Sequence, residues 1–385
     1  MGHNVTVVCA SYTHLRKKNP EIKKDFTEEI IEGVRYLWVK TPKYNDNTVF
    51  RSVNIFTFVN KLKKSAKHLA NSLKPDLVIA SSTYPMDIYP CKMIASESGA
   101  KLVFEIHDLW PLTQMTFGNL SHKNLIVKYL QKAEDFAFTQ SDDIVSILPN
   151  ADKHIKERNV KKFRFHFIPN GVIMDKNIQN ACVLDSYHQN VIDKLKSQNK
   201  FILMYVGGHT VSNSLETLIS SCPILPGNVS VVMVGEGRYK KMLMDTCAQK
   251  GYKNIHFLPS VPKNQVNTIQ SLADCLYIGA KKCKLYEYGV GMNKYYDYML
   301  SKKPILNGVE ASNDIVKKVN CGISVKAESN TAICEGLKAL IALTPEEREQ
   351  IGQNGYEYVT KNHDYQILAR NFLNSIFTKE DINIK

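Results

Sequence analysis

Ten short apolar runs, arriving in two series of five with helical stretches between many of them, constrain this chain most. The first series is NVTVVCA (4–10), DLVIAS (76–81), KLVFEI (101–106), DIVSIL (143–148) and FRFHFIP (163–169). The second is KFILMYVG (200–207), VSVVMVG (229–235), NIHFLPS (254–260), DCLYIGA (274–280) and KPILNG (303–308). Most are apolar without alternation, as strands are when both faces of their sheet are covered. Stretches such as 121–140 and 262–273 have helical spacing. Strand, helix, strand, repeated in two series, predicts an α/β chain with two parallel sheets. A length of 385 residues suits two domains.

The boundary follows IPNGV (168–172), where about 25 polar residues read as a linker and one polar helix. We place a first domain at 1–170 and a second at 171–363. The stretch 364–377 is an amphipathic helix followed by a charged tail. The opening MGHNVTVV resembles the end of a helix leading straight into a strand. The strand, glycine-rich turn and helix that would precede it in such a sheet are expected to be missing.

A net charge of +13 points to anionic partners: nucleic acid, anionic lipid or phosphorylated small molecules. The basic residues are dispersed, and no helix-turn-helix, zinc-finger or RNP-like motif accompanies them, which argues against nucleic acid. The nine cysteines form no C-x-x-C pair and no zinc-like array, so they read as reduced thiols of a cytoplasmic protein. No apolar run is long enough to span a bilayer, so membrane contact would be peripheral. Segment 59–74 allows two readings. Val59, Leu62, Ala66, Leu69 and Leu73 share a face ringed by Lys61, Lys64, Lys67 and His68. That fits an interfacial helix, or an ordinary helix packed on a sheet with a solvated basic side.

Three places carry candidate chemistry. Gly207-Gly208 and Gly235-Glu236-Gly237 each turn a strand towards a helix, where backbone N–H groups can approach an anion. Tight turns without a ligand explain the same glycines. In YEYGVGMNKYYDYMLSKKPIL (286–306), Gly289 and Gly291 predict a flexible loop. Lys294 follows at a helix start, where a cation opposes the helix dipole and needs an anion beside it. Asp297 lies one turn on and could accept hydrogen bonds from a ribose. An exposed Lys294–Asp297 pair is the plain structural alternative. FEIHDLWP (104–111) closes a strand and brings Glu105, His107 and Asp108 to its carboxyl end, where open α/β sheets bind ligands. Trp110-Pro111 reads as the anchor of that loop.

These motifs, with GVRYLWVKTPKY (33–44), IPNGV and GEG, stand in the order found in glycosyltransferase family 4, which the chain resembles over nearly its whole length. The likeness is to the branch making bacterial O-antigen and capsule sugars, including N-acetylfucosamine transferases. It implies a GT-B fold, two Rossmann-like domains facing a cleft, with the last helix packing back on the first. It implies retaining, metal-independent transfer of a hexosyl-type sugar from a nucleotide sugar, with no further cofactor. UDP is the expected nucleotide, and a lipid-linked saccharide at the inner face of the plasma membrane the expected acceptor. By the same resemblance Asp297 binds the ribose. Lys294, beside Asn293, binds phosphate, and His107 contacts the donor sugar near the leaving phosphate. Glu105 and Asp108 orient His107 or the acceptor. The base lies near Leu258 to Val261. The chain departs from the family after Gly207-Gly208, where GGHTVSNSLE has no cation but His209. A UDP-sugar 2-epimerase of the same fold, or a truncated and inactive transferase, is the alternative.

Overall fold

The computed structural model of the chain describes residues 2–14, 16, 18–45, 49–174 and 183–377. In chain order the elements are β1 (Thr6–Ala10), β2 (Thr27–Ile31), β3 (Val34–Val39), α1 (Val49–Leu73), β4 (Leu77–Ala80), α2 (Ile88–Ser98), β5 (Lys101–Ile106), α3 (Leu112–Gly118), α4 (Leu125–Gln140), β6 (Asp143–Ser146), α5 (Ala151–Glu157) and β7 (Phe165–Phe167). Then come α6 (Ser186–Ser197), β8 (Phe201–Val206), α7 (Leu215–Ser221), β9 (Val229–Val234), α8 (Lys240–Gln249), β10 (Ile255–Leu258), α9 (Val266–Ser271), β11 (Cys275–Gly279) and α10 (Asn293–Leu300). The series ends with β12 (Ile305–Gly308), α11 (Ile315–Val319), β13 (Gly322–Ser324), α12 (Asn330–Ala342), α13 (Pro345–Asn362) and α14 (Tyr365–Ile376). All ten apolar runs form strands.

The chain divides into two compact units, Met1–Val145 with Ile155–His166, and Ser146–His154 with Phe167–Lys385. Both are Rossmann-like α/β units. The strands of the first fall into two sheets, β1-β3-β2 and β4-β5-β6-β7. β1 pairs in parallel with β3, and β4 with β5. No strand among the described residues pairs with the other side of β1 or β4, and the residues of β1 are only half-buried. The β2–β3 hairpin went unread in the sequence as a pair of strands. Glu32 and Gly33, both at positive φ, make its two-residue turn.

α1 decides between the two readings of 59–74. Val59, Leu62, Ala66 and Leu69 are buried with Leu37, Val39, Met86 and Leu130, and Leu73 packs against the same cluster. The apolar stripe is core, and the interfacial reading of that face is corrected. Lys61 on its border reaches Asp25 at 2.9 Å and the Lys40 carbonyl at 2.8 Å.

The second unit holds one six-stranded sheet, ordered β10-β9-β8-β11-β12-β13, and its strand pairings among the described residues are parallel. That is the doubly wound order in which strand sequence reverses between the first and fourth strands, here β8 and β11. Every residue of β8, β9 and β11 is buried, because helices cover both faces. On one face Leu215, Leu218 and Ile219 of α7 and Ile333, Leu337 and Leu340 of α12 pack on Leu203, Tyr205, Val231 and Met233. β13, three residues long, was too short to read from sequence. α14 starts where Val172 bridges Asp364, whose side chain caps the helix.

Among the described residues eight cysteines are free and no helix is long and apolar enough to cross a membrane. Cys182, most of the polar linker after Val172 and the charged tail lie outside the described residues.

Candidate functional site

The reversal between β8 and β11 opens a crevice at the carboxyl ends of the strands, and the glycine turns stand there. The turns after β8 and β9 cross at van der Waals contact. A Cβ on Gly235 would lie 2.0 Å from the Gly207 carbonyl oxygen, and one on Gly207 would lie 2.7 Å from Cε of Lys294. Gly207 N–H donates to Val234 and Gly235 N–H to Leu258, so these two amides are already satisfied. The N–H groups of Gly208 and Gly237, both exposed, have no acceptor among the described residues.

Two lysines reach these turns and are held differently. Lys240 Nζ donates to the Gly235 carbonyl at 2.8 Å, the Leu258 carbonyl at 3.0 Å and Glu236 at 2.7 Å. An ammonium has three donors, so Lys240 is fully used as a clamp on the turn. Glu236 is its exposed counterion. Lys294, in the first turn of α10, lies over the Cα of Gly207 and 5.0 Å from the Tyr205 ring centre. Among the described residues its ammonium has one hydrogen-bond partner, the Asn213 side-chain oxygen at 2.6 Å. No carboxylate pairs with it, and burial alone brings its pKa down to about 8. Asn213 is fixed in turn by donating to the Gly208 carbonyl at 2.8 Å and to Thr210 at 2.7 Å. No side chain caps the start of α10. Two free ammonium donors, open amides and an uncapped helix start make a place for an anion.

Other predicted residues fall as follows. Asp297 is exposed on α10 and makes no ion pair with Lys294, so the plain Lys–Asp pair does not form. Asn293 is exposed at the first position of the helix. The loop read as flexible is pinned. Val290 exchanges two hydrogen bonds with the Asn313 side chain, Gly289 seats against Pro149, and Gly291 seats against Ile147. Leu258 is buried, with its carbonyl taken by Lys240 and Gly235, while Val261 is half-buried and makes no hydrogen bond among the described residues. His209 is no cation. It is fully buried against Tyr205 and Phe257, neither ring nitrogen has a partner, and burial with nearby Lys240 holds its pKa at about 4. Sequence reasoning missed Asn213 and Lys240. Both sit in stretches it had singled out, GGHTVSNSLE and the basic helix after GEG.

In the first unit β5 ends in a compact cluster. His107 Nε2 lies 3.0 Å from Ser81 Oγ and 3.2 Å from Glu105, and Ser81 donates to the same Glu105 oxygen. The hydrogen bond to Glu105 raises the His107 pKa above 6.5, against the pull of burial. Burial works to raise the Glu105 carboxyl, but hydrogen bonds from His107 and Ser81 bring it below its ordinary value. With Nε2 engaged, Nδ1 is the free edge of the ring. Asp108 turns away to accept from Thr113 at 2.5 Å and is raised by burial. Asp87, buried behind Ser82 with one carboxylate oxygen unpartnered, is pushed up to about 6 by burial. Trp110 is half-buried and packs against the core of the first unit, as the anchor reading predicts. The Ser81 and Asp87 partners carried no motif and were not read from sequence. Among the described residues no cluster of His, Cys, Asp and Glu is arranged to hold a metal.

Residues 1–176 match the family model described as Glycosyltransferase Family 4, and residues 188–358 match that described as Glycosyl transferases group 1. Solved structures agree in fold. Sucrose-phosphate synthase from Thermosynechococcus elongatus has a TM-score of 0.72 at 13% identity, over 96% of this chain and 88% of that one. The UDP-forming trehalose-phosphate synthase of Burkholderia vietnamiensis has a TM-score of 0.66 at 14% identity, over 91% and 90%. Anabaena HepE in complex with UDP and glucose has a TM-score of 0.65 at 13% identity, over 89% and 86%. No curated protein matches the sequence.

Proposed function

Because the chain belongs to the GT-B glycosyltransferases, we propose that it is a retaining, metal-independent hexosyl transferase. It moves a sugar from a UDP-linked donor to a hydroxyl of a lipid-linked saccharide, at the inner face of the membrane, in the making of O-antigen or capsule. The single observation that carries the donor reading is Lys294, a half-buried ammonium with two unused donors and no counterion among the described residues. Such a group is uncomfortable alone and favourable against an anion. A nucleotide diphosphate supplies that anion, and charge builds on it as the sugar leaves, so a fixed cation stabilises the transition state more than the ground state. The N–H groups of Gly208 and Gly237 and the start of α10 add donors. UDP is favoured because HepE, of the same fold, is solved with UDP, with UDP and glucose, and with UDP-glucose.

In the first unit His107 serves as a positioned hydrogen-bond donor through Nδ1, with Glu105 favouring its charged form and Ser81 directing the ring. The domain of residues 1–170 takes the acceptor, and that of 171–363 the nucleotide sugar.

The test incubates the protein with a panel of UDP-sugars and polyprenyl-diphosphate-linked saccharides, and follows UDP release and the anomeric product by NMR. Transfer with retained configuration, unaffected by EDTA, is expected. Lys294→Ala should lower kcat/KM by about 100- to 1000-fold, the usual effect of removing one transition-state donor. Epimerised UDP-sugar without an acceptor product would replace transferase with epimerase, and an unchanged Lys294→Ala protein would remove Lys294 from the mechanism.

A further inference from the structure

The apolar face of α1 beyond Asn54 is core, but the opposite face begins with large side chains that stay exposed. Phe50 is 65% exposed, and Val53 and Phe56 follow at three-residue spacing on the same outward stripe, all exposed. On α4, Leu125 is 80% exposed, with Ile126 and Tyr129 exposed beside it. The stripes meet: the rings of Phe56 and Tyr129 are 5.7 Å apart. Asn124 caps Ile126 N–H and so fixes the end of α4 that presents Leu125. Scattered apolar residues on a surface mean little, but a contiguous group of aliphatic and aromatic side chains marks a contact surface.

Charge identifies the partner. Segment 49–74 has six Lys and Arg, segment 112–133 has three, and neither contains a carboxylate. Along the outward stripe of α1 the apolar residues give way to exposed Lys64 and Lys67, and on α4 exposed Lys128 and Lys132 stand beside Tyr129. A second copy would set most of these cations against cations, since the acids nearby, Glu97 beside Lys67 and Asp135 beside Arg158, are already paired. Protein interfaces have cores depleted in lysine. Nucleic acid would welcome the charge and the rings but gains nothing from Leu125, Ile126 and Val53. Hydrocarbon takes all of these side chains, and anionic headgroups take the lysines around them.

We propose that the joined faces of α1 and α4, centred on Phe50, Phe56, Leu125 and Tyr129, dock the first unit onto an anionic lipid surface. This gives a place on the molecule for the membrane contact in the functional reading, yet it stands apart from donor chemistry. Vesicle binding by Lys294→Ala should equal that of the parent chain.

The test is co-sedimentation of the full chain with vesicles of phosphatidylcholine, alone or mixed with phosphatidylglycerol, at low and high salt. Binding to the mixed vesicles that weakens with salt is expected. The exposed double variant Phe50→Glu/Leu125→Glu should bind them at least about tenfold more weakly, and Lys128→Glu/Lys132→Glu should lose the preference for anionic lipid. Circular dichroism melts equal to the parent's would exclude misfolding. The proposal is overturned if the chain binds neither vesicle, or if both double variants bind like the parent. It is also overturned if light scattering shows a dimer that Phe50→Glu/Leu125→Glu abolishes. Single-stranded oligonucleotide bound more tightly than the mixed vesicles, through these same residues, would overturn it as well.

Discussion

A lysine with one hydrogen-bond partner and a lysine with three do different work, and the second unit contains both. Lys240 spends its donors on Gly235, Leu258 and Glu236, whereas Lys294 keeps two in reserve. Sequence reading picked out Lys294 from its place at a helix start. It could not tell that Lys240 belonged to a turn, because that depends on where the carbonyl of Leu258 comes to lie. It also counted His209 as a cation, since burial is invisible in a residue name. The His107 cluster yields a residue-scale prediction with a definite sign. Glu105 raises the His107 pKa, so the pair's contribution is complete below about 6.5 and fades as pH rises through the raised value. Glu105→Gln should lower the His107 titration midpoint, because burial then acts with less opposition. Histidine side-chain NMR across pH reads this directly, and a midpoint unmoved in Glu105→Gln would separate the two residues.

Elements were more legible than the contacts between them. Ten strands announced themselves as apolar runs, most plainly β8, β9 and β11, where burial on both faces leaves little polar to interrupt them, while β13 was too short to show that signal. The β2–β3 hairpin was passed over because β2 is mostly exposed and polar, with none of that signature. The loop of Gly289 and Gly291 was misjudged because glycine signals freedom in a lone segment but close packing when other chain segments press on it. The same logic gives an element-scale prediction. Gly235→Ala forces a methyl group against the Gly207 carbonyl at positive φ, so the β8 and β9 turns must part, at a cost of roughly 2 kcal/mol or more. Gly227→Ala, with nothing near its Cβ, should change stability by no more than about 0.5 kcal/mol. Thermal or urea melts of the two variants compare them, and equal stabilities would contradict the crossing of the turns.

At the scale of the whole molecule, the account rests on the second unit being a nucleotide-sugar site with Lys294 at its anionic end. Because burial lowers the Lys294 pKa to about 8, part of its population is uncharged at pH 8 in the free protein. A bound diphosphate favours the charged form and should raise that pKa, so binding must draw a proton from solution. The decisive measurement is calorimetric titration with UDP at pH 8 in two buffers of different ionisation enthalpy, with GDP and ADP as controls. The account predicts binding of UDP in preference to the controls, with net uptake of less than one proton per UDP, and loss of that uptake in Lys294→Ala. UDP binding that is absent, or that proceeds unchanged and without proton uptake in both proteins, would contradict it.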